Sequence, residues 1–181
     1  MDTQITINIL AHITLFSNIA LVLLVMVFVI SRFGILVKAS QNVGKFLRSY
    51  SLGFAFIISL TATLGSLYFS EVAGFEPCKL CWFQRIFMYP LPIIIGKFLW
   101  NKNKNAFDYI KPLSLFGFLV AAYHYYYQMT GGGSMSCSVI GYSVSCSEEF
   151  FTYYGYITIP WMSLSAFVYI ILLGLLGKRV S

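Results

Sequence analysis

Five long apolar stretches, separated by short polar segments, divide the 181-residue chain. The first covers about Ile9 to Ser31, through the unbroken Leu21-Val-Leu-Leu-Val-Met-Val-Phe-Val-Ile30. The second runs from about Leu47 to Phe69, the third from about Trp82 to Trp100, the fourth from Pro112 to about Met129, and the fifth from about Thr158 to Gly177. A helix needs about 20 mostly apolar residues to cross the hydrocarbon core of a bilayer, and these stretches are close to that length. Backbone facing lipid must satisfy its own hydrogen bonds, so the pattern predicts spanning helices and an all-α membrane protein. The third and fourth stretches are short and Pro-bearing, which is acceptable near a helix start or where the freed backbone finds other partners.

Composition agrees with this pattern. The chain is 59% hydrophobic and 10% charged, against roughly 25% charged in a soluble domain. The formal charge of +6 changes the picture only through its placement. Arg32, Lys38, Lys45 and Arg48 lie between the first two stretches, Lys97, Lys102, Lys104 and Lys111 between the third and fourth, and Lys178 and Arg179 after the fifth. By the positive-inside rule that side is cytoplasmic, which places the N-terminus and the 70–82 and 130–157 loops outside. The basic residues thus read as topology signals, not as a nucleic-acid surface. The first stretch lacks a basic segment before it and exceeds the 7–15 residues or so of a signal-peptide core, so it reads as a retained span.

All four cysteines fall in the two outer loops, Cys78 and Cys81 in the first and Cys137 and Cys146 in the second. Disulfides persist on that side of a membrane, and spacing favours pairing Cys78 with Cys81 and Cys137 with Cys146. Zinc fits poorly, because the second pair has eight intervening residues and no histidine near it. Two structural disulfides are the stronger alternative. Against them, Cys78-Lys-Leu-Cys81 closes too tight a ring to constrain much unfolded chain, whereas this spacing suits thiol exchange. The third stretch begins beside Cys81, so the helix N-terminus favours a thiolate there. Gly131-Gly-Gly-Ser-Met-Ser, ahead of Cys137, gives high backbone freedom.

Two polar groups stand out within or beside the apolar stretches. Arg85 follows Cys81 by one helical turn. It reads either as an interface residue whose charge snorkels outward or as a guanidinium that stabilises the thiolate and bonds an acceptor's carbonyl oxygen as charge develops there. His124, in Ala121-Ala-Tyr-His-Tyr-Tyr-Tyr-Gln128, sits near the outer end of the fourth stretch. It reads as an interfacial histidine with a satisfied bond, or as a proton donor or orienting group at an acceptor pocket. His12 has no evident role, and most of the clustered Tyr and Trp residues form an aromatic belt.

Pro77-Cys-Lys-Leu-Cys-Trp-Phe-Gln-Arg85, followed by Ile86-Phe-Met-Tyr-Pro90, resembles the first cysteine pair and second core helix of the DsbB family, particularly its short BdbC-like branch. Gly155-Tyr-Ile-Thr-Ile-Pro-Trp161, opening the last stretch, fits the same branch. The resemblance covers roughly Lys45 to Lys178. It implies a four-helix transmembrane redox bundle in residues 45–181, with residues 1–44 an additional N-terminal transmembrane helix and a basic inner loop. It also implies a protein-dithiol:quinone oxidoreductase of the bacterial inner membrane, which reoxidises a DsbA-like thioredoxin-fold partner and reduces ubiquinone or menaquinone. Carried over residue by residue, Cys81 contacts the quinone, Cys78 exchanges with the second pair, Cys137 is attacked by the partner and Cys146 communicates with Cys78. Arg85 matches a quinone-associated arginine, and His124 a histidine thirteen residues before the partner-reactive cysteine. The short segment between Cys137 and Cys146 and the extra first helix depart from the family's best-known members. The rival readings are a membrane scaffold or small transporter stapled by inert disulfides, and the same fold running as a reductase.

Overall fold

The computed structural model describes residues 3–33, 37–101, 106–131, 146 and 150–177. Seven helices follow in order: α1 (Thr3–Ser31), α2 (Val37–Ser49), α3 (Ser51–Glu71), α4 (Lys79–Met88), α5 (Pro90–Trp100), α6 (Ala106–Met129) and α7 (Ile159–Gly177). By length and composition α1, α3 and α7 are apolar enough to cross a membrane.

The third apolar stretch is two helices, α4 and α5, for a reason visible in the sequence. Pro90 and Pro92 lack the N–H groups that the Ile86 and Met88 carbonyls would accept from, so the ladder is interrupted at Tyr89 while its backbone stays helical (φ −64°, ψ −34°). Residues 79–100 together rise about 33 Å. The fourth stretch begins six residues earlier than expected, at Ala106, with Pro112 inside the helix. Ala106, Phe107 and Ile110 are all buried, and the Phe107 ring lies against Gly174 and Gly177 of α7. That apolar contact extends the helix toward its N-terminus.

The basic segment between the first two stretches, expected as an inner loop, is largely helical, as α2. Ser40, Val43, Gly44 and Leu47 form its inward stripe, while Lys38, Gln41, Asn42 and Lys45 are exposed. This is an amphipathic helix, packed against α1 and α7.

Helices α3, α7, α6 and the α4–α5 pair close a ring of contacts around one core. Leu91, Ile95, Ile110, Phe167 and Ile170 fill its centre. Small residues allow close approach, as membrane helix pairs require: Gly117 of α6 lies against the Phe167 ring, with no room for a Cβ. Outward faces are apolar, with Phe16, Ile57, Leu64, Phe116, Leu119 and Leu175 each at least half exposed. Such a surface is suited to hydrocarbon, not water.

Candidate redox site

Cys78 occupies the N-cap of α4 with extended backbone (φ −68°, ψ 172°), and its Sγ accepts from the Cys81 backbone N–H at 3.4 Å. The sulfur thereby satisfies one of the first-turn N–H groups that lack an intrahelical partner. The spacing returns Cys81 to the same side, with the two sulfurs hydrogen-bonded at 3.1 Å, Cys78 donating. That bond is the largest influence on both thiols. It holds Cys81 below the ordinary value of 9.0, helped by the Arg85 charge and opposed by burial. It also pushes Cys78 up to about 12, with burial adding to the rise.

His124 is 3% exposed and completes the cluster from α6. Its Nε2 lies 3.2 Å from the Cys146 carbonyl oxygen and 3.7 Å from Cys78 Sγ, and its Nδ1 lies 2.7 Å from Gln84 Nε2. A carbonyl oxygen can only accept, so Nε2 carries the proton; Nδ1 is then bare in the neutral ring and accepts from the Gln84 amide. The same N–H faces the Cys78 sulfur at the longer distance, so it is shared between the Cys146 carbonyl and that sulfur. Cys146 is 1% exposed and shares a cavity of about 20 Å³ with Cys78, Cys81 and His124, room for about one water. Ligand atoms of Cys78, Cys81 and His124 lie within 4.8 Å of one another. A metal ion would accept that spacing, but the hydrogen bonds among these groups already account for it.

Arg85 points to the other side of Cys81. Its Nε donates to Ser66 Oγ at 3.0 Å and its Nη2 to the Ser66 carbonyl at 3.1 Å, and the guanidinium lies 5.3 Å from the centre of the Trp82 ring. Together with Cys81 it lines one end of a largely apolar cleft of about 1080 Å³ between α1, α3, α4 and α7. Cys81 touches both cavities, whereas Cys78 and Cys146 line only the small one.

A family model described as disulfide bond formation protein DsbB matches residues 48–177. The chain belongs to the DsbB family. Similar proteins include a probable disulfide formation protein C 1 of Bacillus anthracis, 40% identical over 121 residues, 67% of this chain and 86% of that protein. The SPbeta prophage-derived disulfide bond formation protein B of Bacillus subtilis (strain 168) is 41% identical over 131 residues, 72% of this chain and 86% of that protein. A probable disulfide formation protein of Coxiella burnetii (strain RSA 493 / Nine Mile phase I) is 39% identical over 124 residues, 68% of this chain and 84% of that protein. No solved structure matches the chain. As a DsbB-family member the protein is a disulfide-forming oxidoreductase of the membrane.

Of the residues singled out in the sequence, Cys78, Cys81, His124 and Cys146 come together, and Arg85 adjoins them on the cleft side. Cys137 lies outside the described residues. Gln84 and Ser66, which orient His124 and Arg85, were not singled out; the available signal was a polar residue inside an apolar helix.

The coupled thiols predict an order of alkylation in the reduced protein. Cys81, half-buried and held low, should react with iodoacetamide at a rate that rises with pH and levels off below the pH at which an ordinary thiol does so. Cys78, buried and pushed up to about 12, should remain largely unmodified across that range. Peptide mapping by mass spectrometry after timed quenching checks this. Faster labelling of Cys78 would reverse the assignment.

Proposed function

We propose that this protein reoxidises an extracytoplasmic, DsbA-like thioredoxin-fold dithiol oxidase and passes the electrons through two cysteine pairs to a membrane quinone, ubiquinone or menaquinone. The carrying observation is that Cys81 alone among the described cysteines touches both the small cavity shared with Cys78 and Cys146 and the apolar cleft at Arg85. Five spans, α1, α3, α4–α5, α6 and α7, set the cysteine ends outside a bacterial inner membrane and the basic segments inside.

A partner thiolate attacks Cys137 of the Cys137–Cys146 disulfide, Cys146 leaves as thiolate, and the partner's second thiol releases the partner oxidised. Cys146 then attacks Cys78 of the Cys78–Cys81 disulfide and Cys81 leaves as thiolate. Cys137 attacks Cys146 in turn, restoring the second disulfide and leaving Cys78 and Cys81 reduced. The His124 N–H stabilises negative charge on Cys78 during these exchanges. A quinone held there would supply the two-electron, two-proton sink that the reduced Cys78–Cys81 pair needs to close its disulfide again. The residues present fit that group: a cationic donor fork beside Cys81 and an apolar cleft for a tail. Arg85 would donate to the acceptor carbonyl where negative charge grows.

The test is purified protein in proteoliposomes with reduced thioredoxin-fold partner and quinone, followed by quinone absorbance. Quinone loss should match partner oxidised, mole for mole. Partner oxidation with unchanged quinone absorbance would sink the proposal. In the same assay Arg85→Ala should lower kcat/KM for quinone by roughly 10²-fold, the order expected for losing one charge-stabilising donor. Arg85→Lys should recover only part, because the planar fork that bonds Ser66 is lost. Unchanged quinone dependence in both would return Arg85 to a snorkelling role.

A further inference from the structure

The family match begins at residue 48, so α1 lies outside it, yet α1 is fastened to the redox bundle along its length. Thr6 Oγ1 donates to Tyr68 of α3 at 3.1 Å, and Leu10 lies against Gly65. His12 Nδ1 bonds the Asn8 carbonyl, which leaves Nε2 to accept from Tyr154 at 3.1 Å. Tyr154 is itself held in a tight turn at φ 54°, followed by Gly155 at φ 76°. Tyr169 of α7 bonds Ser17 and Asn18, and Phe28 rests on Gly44 of α2.

Between these fastenings α1 does not close onto the bundle. Only Ile7 and Ala11 of α1 are buried; Leu21 and Leu24 line the cleft, and Phe28 lines it beside its contact with Gly44. Helix interfaces ordinarily pack to near-crystal density, so this stand-off is a feature to be explained. Lining residues run from Leu10 to Ser31 on α1, a rise of about 32 Å and so close to the hydrocarbon thickness. At about 1080 Å³ the cleft exceeds the roughly 300–1,000 Å³ of compact small-molecule sites. Its walls are aliphatic and aromatic along most of that length, and its cysteine end carries Cys81 and Arg85.

We propose that α1 is the outer wall of a channel for the acceptor's isoprenoid tail, making tail length a determinant of acceptor choice. This rests on the quinone reading above. The head lies at Cys81 and Arg85, and the tail runs along Leu21, Leu24 and Phe28 between α1 and the bundle. A lipid acyl chain could fill an apolar cleft equally well. What favours the acceptor's tail is continuity of the cleft with the redox sulfur and the guanidinium.

The experiment compares menaquinone-4 with tail-free menadione in proteoliposomes. Leu24→Trp, which narrows the channel, should lower the ratio of kcat/KM for menaquinone-4 over menadione by about tenfold or more, as overpacking an apolar site commonly does. Leu23→Trp, on the exposed face of α1, should leave the ratio at the wild-type value. Because Leu24→Trp can fail by misfolding, wild-type protein is also irradiated with a menaquinone carrying a diazirine at its tail end. Labelling should fall on cleft-facing Leu21, Leu24 or Phe28. Labelling confined to Val22 and Leu23, or an unchanged ratio in folded Leu24→Trp, overturns the role of α1 while leaving quinone reduction standing. If wild-type protein reduces neither of these nor ubiquinone, the function proposed above fails with it.

Discussion

Cys81→Ser is expected to lower steady partner-to-quinone turnover by roughly 10⁴-fold or more, the order seen when an enzyme loses its reacting nucleophile, while sparing one round of partner oxidation. The first effect follows because Cys81 is the cysteine lining the apolar cleft beside Arg85, and no other described sulfur can replace it there. Cys78 is 4% exposed and capped into the first turn of α4, and Cys146 is 1% exposed. The second effect follows because, in the proposed relay, a Cys137–Cys146 disulfide would need nothing from Cys81 to exchange with a thioredoxin-fold thiolate. Rapid-quench analysis should therefore show one equivalent of partner oxidised and then a halt, with no change in quinone absorbance. Sustained turnover would mean that electrons leave by another route.

This expectation rests on features that differ in how legible they were. The Cys-x-x-Cys pair and Arg85 lie within one short helix, where spacing alone fixes geometry: N-cap, first turn, next turn. They could be read directly. His124 was visible as a polar group in an apolar stretch, but its pairing with Gln84 spans 40 residues of sequence, and that of Arg85 with Ser66 spans 19. Such contacts depend on how helices rotate against each other, which a hydropathy pattern does not encode.

The helices show the same division. The apolar stretches recovered the long helices, since each needs only its own composition. Tyr89 marks a break because Pro90 and Pro92 remove backbone donors, a local cause whose consequence is that one apolar stretch becomes two helices. At 13 residues and polar overall, α2 does not register as an apolar stretch, although its inward residues Ser40, Val43, Gly44 and Leu47 recur at helical spacing; packing on α1 and α7 stabilises it. The use of α1 was the least legible, because a cleft belongs to the space between elements.

Cys146→Ser should give the complementary defect, and a partner trap then fixes the order of the outer cysteines. Without Cys146 no second disulfide can form with Cys137, so turnover with the protein partner should fall by the same order as for Cys81→Ser, roughly 10⁴-fold. The Cys78–Cys81 pair keeps its helix cap, its sulfur–sulfur hydrogen bond and the cleft. A small dithiol that reaches Cys78 or Cys81 directly should therefore still drive quinone reduction. The two serine variants would then divide the pathway into a partner half and a quinone half. In the otherwise unaltered protein, a partner lacking the second cysteine of its own pair cannot release itself and should accumulate as a mixed disulfide. Its attachment point is expected at Cys137. The buried position of Cys146, with its carbonyl held by His124, suits exchange with Cys78 but not with a large external protein. Mass spectrometry of the trapped adduct decides: linkage through Cys146 or Cys78 would show that the relay enters the site by the opposite sulfur.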